Sequence, residues 1–190
     1  FTAAGLAVGY ALKKVADSAG SFEYELARAG AITEATAKEM AILEKAAIQA
    51  GLATQFSPRE AAEGLATLGS FGLDAAQAAH VLKSALDLAA AGMIEVEAAS
   101  ESVVNMLRIY RMPVSKAVEV TDKLVTITNM SSLKARDFGM SLGKAASKTA
   151  VANQTFETTL IVMGALRSAG NDAASAGTYY NRSVINMATN

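Results

Sequence analysis

The sequence predicts an all-α protein, built as an array or bundle of helical hairpins with a longer N-terminal helix of heptad character. Three observations carry this prediction. Good helix formers, alanine above all, dominate a chain with only two prolines and 6% aromatic residues, which predicts a thin, close-packed core. No long stretch alternates apolar and polar residues with the period of two that marks a half-buried strand. Cap and stop signals divide the chain into segments of helical length.

The N-terminal segment has the spacing of a helix that lies against partner helices. Its positions follow each other at intervals of four and three residues over about three heptads. Two interpretations stay open, an ordinary amphipathic helix inside its own domain or an intermolecular coiled coil that continues upstream. Because the chain begins at Phe1 rather than Met, we expect it to be a piece of a longer protein. The candidate oligomer seam is formed by Val8, Leu12, Val15, Phe22 and Leu26.

The predicted organisation is therefore a heptad-like helix over residues 1–30, followed by a helical core region over residues 31–190. Thr33 is predicted to cap the second helix, which should end near Gly51. The segment FSPREAAEGLATLG then opens the third helix with a strong start signal. Serine, proline at the first helical position and glutamate three residues after the serine form a capping box. These residues are Ser57, Pro58 and Glu60.

The remaining helices are bounded by caps, glycines and Pro113. The predicted segments run from Asp74 to Ala91, from about Ile94 to Arg111, from Ser115 to the polar sequence NMSS, from Leu133 toward Ala146, from Asn153 or Thr155 to about Ser168, and from Asp172 toward Ala188.

A connector occurs twice in the chain. LGSFGLDAAQA at residues 68–78 and LRSAGNDAASA at residues 166–176 share the frame L-x-x-x-G-x-D-A-A-x-A. We expect the glycine to adopt a left-handed conformation after the helix and the aspartate to cap the helix that follows. A helix-hairpin corner used twice explains the residues of this frame. The glycine and aspartate are Gly72 and Asp74 in the first copy, and Gly170 and Asp172 in the second.

Gly177 lies inside the last predicted helix, where glycine is intrinsically unfavourable. We therefore expect another backbone to pass close to it. Thr178 follows directly, and Arg182 closes the same segment.

The charged residues favour a solvated surface over a nucleic-acid interface. Between Val103 and Lys148 there are eight basic and three acidic residues, so this stretch carries a charge of +5 (8 − 3). Tyr110 and Phe138 are its only aromatic residues, whereas nucleic-acid binding usually requires denser charge and stacking partners.

No residue set in the chain carries catalysis, and no metal or cofactor is expected. There is no cysteine, and His80 is the single histidine. The stretch GMSLGKAAS at residues 139–147 resembles a phosphate loop but has one residue too few between its glycines and alanine after its lysine. Ser141 and Lys144 have the spacing of a serine acyl-transfer pair without the partner motifs that such enzymes require.

The order of the segments carries a family resemblance. The segments are SFEYELARAGAITEATAKEMAILEKAAIQAGLATQFSPREAAEGLATLGSFG, LDLAAAG, TDKLVTITNMSS and AGTYYNRSVINMA. From about Gly20 to its end, the chain resembles the core region of bacteriophage tail tape measure proteins. The most specific parts are T-x-F-S-x-x-E-A-A at residues 54–62 and A-G-T before Arg182. Asn181 stands where the family pattern has leucine, and Asn171 stands where it has a hydrophobic residue. Packing at the last corner should reflect these departures.

The resemblance implies a structural virion protein that is not an enzyme and needs no cofactor. The chain would be a segment of a long helical protein that sets tail length, templates tail tube assembly and is ejected during genome delivery. Its implied place is the tail lumen or tail tip, after assembly in the host cytoplasm. The implied partners are other copies of itself, the tail tube protein and tail tip or baseplate hub proteins. Tail assembly chaperones are further candidates, and DNA contact is not expected.

Two other classes of function stay open from the sequence. One is a stand-alone helical protein-interaction module or secreted effector, which a complete, monomeric chain would favour. The other is a peptidoglycan hydrolase, which the absence of a catalytic set makes the weakest of the three.

Overall fold

The computed structural model describes residues 19–138 and 154–189, which are helical and contain no strand. This confirms the all-α prediction. The eight α-helices among these residues are α1 (19–32), α2 (Ala37–Ala53), α3 (Pro58–Ser70), α4 (Ala75–Gly92), α5 (Val96–Ile109), α6 (Ala117–Met130), α7 (Phe156–Ser168) and α8 (Ala173–Thr189). Short 3-10 turns at Val114–Lys116 and Ala135–Asp137 lie on either side of α6.

The chain divides into two compact units, one over Phe1–Ala79 and one over His80–Asn190. Helix α4 crosses this division. The predicted boundary between residues 30 and 31 stays a prediction, because residues 1–18 lie outside the described residues. In the first unit, α2 packs against α3, and in the second, α6 packs against both α5 and α7 while α7 packs against α8.

Among the described residues, five helix ends share one backbone corner, of which the sequence repeat revealed only two. Each helix is followed by a residue with positive φ, and three of these five residues are not glycine. The amide of the left-handed residue donates to the carbonyl three positions earlier, and the next amide donates to the carbonyl five positions before itself, at 2.7–3.4 Å. This pair of bonds is a Schellman motif, which satisfies the last carbonyls of a helix. The left-handed residues are Glu34, Gly72, Met93, Arg111 and Gly170, with φ of 52°, 78°, 49°, 52° and 92°.

The next helical turn begins at the same distance from every left-handed residue, with its N-cap two positions later. Two of the N-caps are the aspartates predicted from the sequence. Asp74 Oδ1 accepts a hydrogen bond from the Gln77 amide at 2.9 Å, and Asp172 Oδ1 accepts one from the Ser175 amide at 2.9 Å. The other three N-cap positions are Thr36, Glu95 and Pro113.

A second type of corner ends α2 and α6. Thr54 and Ser131 are in extended conformation, and each donates its hydroxyl to the carbonyl four residues earlier, at 2.8 Å and 2.7 Å. Each hydroxyl also accepts the amide two residues later. The side chain therefore satisfies one carbonyl of the helix end and one amide of the loop, which is the role that the backbone fills in the first corner type.

The predicted cap of α2 was wrong by three residues. The Thr33 hydroxyl donates to the Ala29 carbonyl at 2.8 Å, so Thr33 belongs to the end of α1. Thr36 is the N-cap, because Glu39 lies three residues later and returns a bond from its carboxylate to the Thr36 amide at 2.9 Å. Thr33 has no acidic partner at that spacing, so it cannot complete a capping box.

The capping box predicted for α3 is present. The Ser57 amide and hydroxyl both donate to Glu60 Oε2 at 2.7 Å, and the Glu60 amide donates to Ser57 Oγ at 3.3 Å. Pro58 occupies the first helical position, where its missing amide costs nothing.

The contact between α2 and α3 depends on small residues. Leu43, Ala47, Ala61 and Leu65 have no exposed surface, and half of them are alanines. At the tight end of the contact, a methyl group built on Gly51 would lie 2.6 Å from the Pro58 nitrogen and 2.7 Å from its Cδ. Only glycine at this position leaves room for the start of α3.

The core of the second unit contains the larger side chains. Phe138 and Phe156 are almost fully buried, together with Leu124, Leu133 and Met106. Aromatic side chains bury a large apolar area each. This unit therefore gains more apolar burial per core residue than the alanine-rich contact of the first unit.

We predict that Gly51→Ala destabilises the fold by about 1–3 kcal/mol, because the added methyl group overlaps a proline ring and backbone that cannot rotate away. Gly20→Ala is the matched control. No atom lies within 4 Å of a methyl group there, so helix propensity should raise stability by about 0.5–1 kcal/mol. Chemical denaturation of both variants measures the difference, and a stabilising Gly51→Ala would contradict the close approach.

The Schellman corners generate a second pair of predictions. Gly170→Ala should cost about 1–2 kcal/mol through its left-handed backbone alone, since no atom lies within 4 Å of the added methyl group. Met93 has the same conformation and a side chain that is 92% exposed. Met93→Gly should relieve the strain of the left-handed backbone, but glycine also raises the conformational entropy of the unfolded chain. The net effect should be a stabilisation of up to about 1 kcal/mol. Urea titrations that give the same sign for both variants would contradict the shared corner.

Candidate functional site

The candidate oligomer seam is only partly within the described residues. Val8, Leu12 and Val15 lie outside them. Of the other two seam residues, Phe22 is half-buried and Leu26 is 8% exposed. The C-terminal end of the seam is thus largely covered by its own chain.

The motifs considered for catalysis do not assemble a reactive centre among the described residues. His80 is exposed on α4. Ser141 and Lys144, with the whole of GMSLGKAAS, lie outside the described residues. Within the described part of the chain, no group of three or more His, Asp or Glu side chains could hold a metal ion. The same part of the chain contains no helix that is long and apolar enough to cross a bilayer.

The closing A-G-T segment lies in α8. Gly177 is buried, whereas Thr178 and Arg182 are exposed. The Thr178 hydroxyl donates to the Ala174 carbonyl at 2.9 Å within the helix. Gly177 is thus on the packed side of α8, and the close approach expected there stays a prediction.

Asn171, which departs from the tape measure pattern, reinforces the corner between α7 and α8. Its side-chain amide donates to the Leu166 carbonyl at 3.0 Å, and its backbone amide donates to the same oxygen at 3.2 Å. Arg167 donates to the Asn171 carbonyl at 2.6 Å and to Asp137 Oδ2 at 3.1 Å. A polar residue at position 171 therefore adds hydrogen bonds where a hydrophobic residue would add packing.

A groove of about 910 Å³ lies between α6 and α7. The two helices run in the same direction, because Lys123 in the middle of α6 pairs with Glu157 at the start of α7, and Gly164 lies against Ile127 further along both helices. A methyl group on Gly164 would lie 2.7 Å from Ile127 Cδ1, so this glycine sets the close approach at the floor of the groove. Sequence reasoning missed the groove, since its two walls come from separate segments and each resembles an ordinary amphipathic helix.

Large apolar side chains along the groove are open to solvent. Val118 is 57% exposed, Met130 is 79% exposed and Ile161 is 65% exposed, whereas Leu160 beneath them is buried. An exposed apolar patch rimmed by polar residues is typical of an interaction site. The arrangement can bind an apolar helix face, and it presents no reactive group.

Charged side chains gather at the end of the groove that is formed by the first half of α6 and the start of α7. Lys123 donates to Glu119 at 2.6 Å and to Glu157, and Lys116 donates to the other oxygen of Glu119 at 2.6 Å. Hydrogen bonds from Lys116 and Lys123 lower the pKa of Glu119 to about 2. The pKa of Glu157 is lowered by Lys123, and the pKa of Lys123 is raised by the two carboxylates. Asp122 is exposed at the same end.

A separate polar contact fixes the start of α7. The Tyr110 hydroxyl donates to Thr159 Oγ1 at 2.7 Å, and the Tyr110 ring lies 5.3 Å from the Phe156 ring in a tilted arrangement. Thr159 and Phe156 are both buried. One wall of the groove is thus attached to the end of α5 as well as to α6.

The fold places the chain in the class of all-helical proteins, with consecutive helices joined by short corners. Residues 44–190 match the model of the phage-related minor tail protein family, and the chain belongs to this family. It is also 28% identical over 178 residues to the tape measure protein of Pneumococcus phage Dp-1. That similarity covers 94% of this chain and 15% of the relative, so the chain spans a small part of that protein. No solved structure matches.

The ion pairs of the groove predict an acid-dependent loss of stability. Glu119 and Glu157 have a lowered pKa in the folded state. Their contribution to the free energy of unfolding is therefore complete above about pH 4.5 and is lost as the pH falls toward about 2. Lys123→Met should therefore flatten the fall in unfolding free energy between these pH values. Lys38→Met, at an exposed position of α2, is the control. Equal pH profiles for the wild type and Lys123→Met would contradict the assignment.

Proposed function

We propose that this segment is a folded, non-catalytic unit of a phage tail tape measure protein, within a longer chain that sets tail length. The observation that carries the proposal is the match to the Dp-1 tape measure protein, which covers 94% of this chain but 15% of that protein. A compact helical unit inside a much longer polypeptide fits a protein that extends along a tail. The family match over residues 44–190 supports the same role.

In this proposal the segment lies in the tail lumen or at the tail tip, and the tail tube protein assembles around the parent chain. Tail tip or baseplate hub proteins and tail assembly chaperones are the other proposed partners. The parent chain leaves the tail during genome delivery. Helical hairpins with short corners suit this step, because each unit can open locally at a fraction of the cost of breaking a single large core.

Tail length in electron micrographs tests the proposal. An in-frame duplication of the 190-residue segment should lengthen the tail by up to about 285 Å, the length of the segment as a straight helix with a rise of 1.5 Å per residue. A unit that stays compact adds less. Deletion of the segment should shorten the tail or stop its assembly.

A second test of the proposal is whether the segment is found in purified tails or in the culture medium. An antibody to the segment should detect it in immunoblots of purified tails that have been disrupted with denaturant, and should not detect it in the particle-free culture medium. Intact tails of unchanged length after duplication would contradict a role in setting length. Detection only in the medium would favour a secreted helical protein instead.

A further inference from the structure

The groove between α6 and α7 has an apolar half that its own helices leave open. Its walls are parallel stripes at helical spacing, and the apolar half is lined by Ile127, Met130, Leu160, Ile161 and Gly164, of which Met130 and Ile161 are exposed. The floor is closed by the contact of Gly164 with Ile127. A third helix with a narrow apolar face would fit between the two stripes and cover the exposed side chains.

We propose that this groove receives the N-terminal heptad segment of a second copy of the chain, packed antiparallel to α6 and α7. The occupant is the predicted helix that carries Val8, Leu12 and Val15 of the oligomer seam. The contact is independent of the proposed role in tail length, because it requires only two copies of this chain in one solution.

The length of the segment fits the groove. Residues 1–12 carry no charge, and as a helix they would extend about 18 Å at 1.5 Å per residue. The lining of the groove runs from Ser115, just before α6, to Ser131, just after it, which is about 24 Å on the same scale. The uncharged stretch can therefore cover the apolar half and leave the charged end of the groove to the residues that follow it.

Charge complementarity sets the direction of the incoming helix. Lys13 and Lys14 follow the uncharged stretch directly. The charged end of the groove contains three carboxylates and two amines, and Asp122 is the carboxylate without a lysine in the network described above. Placing the two lysines at this end directs the incoming helix against the direction of α6 and α7. The reverse direction would place both lysines over the apolar half, away from any carboxylate.

The absence of native cysteine makes disulfide trapping a direct test of this register. Two full-length variants, each with one cysteine, are mixed and mildly oxidised. In the antiparallel arrangement, Val8→Cys should link to Ile161→Cys of another copy, and Val15→Cys should link to Val118→Cys. These pairs are expected to give a covalent dimer as the main product.

The crossed pairs are the matched controls. Val8→Cys with Val118→Cys, and Val15→Cys with Ile161→Cys, place the sulfur atoms about 10 Å further apart along the helix, too far for a disulfide. Dominant linkage in the crossed pairs would overturn the antiparallel arrangement. Linkage of Val8→Cys to Met93→Cys, an exposed apolar position outside the groove, with equal yield would show random collision and overturn the site.

A second measurement separates a contact between copies from one within a chain. A variant with both Val8→Cys and Ile161→Cys should give linked dimers or larger species. If it gives only an internally linked monomer at every concentration, the occupant is the segment of the same chain and the proposal fails.

Sedimentation equilibrium of the unmodified chain should show association that Ile161→Lys weakens at least about tenfold, because a charged side chain would replace an apolar one at the contact and would lose its hydration there. Met93→Lys should leave association unchanged. A wild-type chain that is monomeric at all concentrations, or equal effects of the two lysines, would also overturn the proposal.

Discussion

The left-handed residue that follows five of the helices is the constraint on which the rest of the structure depends. A helix that ends without it needs another donor for its last carbonyls, as the hydroxyls of Thr54 and Ser131 provide for α2 and α6. Here two main-chain hydrogen bonds satisfy them, and the next N-cap follows two residues later. Because the bonds use only backbone atoms, the corner sets the direction of the next helix independently of the side chains around it. That geometry keeps Gly30 of α1 against Met40 of α2 and holds α7 beside α8.

Small side chains let the helices use these corners. A buried alanine contributes less apolar area than a buried leucine, so the contact between α2 and α3 gains little from each residue. Close approach and satisfied helix ends compensate for this, as at Gly51 and in the capping boxes of Thr36 and Ser57. The second unit adds larger side chains, with Phe156 packed on Tyr110 at the base of α7.

The sequence predicts much of this fold because most of its signals are local. Glycine and aspartate reveal two of the corners, and Ser57 with Glu60 reveals the start of α3. The corners at Met93 and Arg111 escape sequence analysis, since nothing in a methionine or arginine indicates a left-handed backbone that the surrounding helices impose. The groove also escapes it. Lys123 and Glu157 meet across 34 residues of chain, and the pattern of either helix alone is that of a solvated face.

The five corners also bear on how such a chain can diverge. One backbone path is compatible with glycine, glutamate, methionine and arginine at its left-handed position, and with threonine, aspartate, glutamate and proline at the cap. Mutations can therefore accumulate at the corners, one at a time, without rerouting the polypeptide. A protein with such corners can lose most of its recognisable sequence while neighbouring helices keep their connections. Sequence identity then becomes a poor indicator of common ancestry.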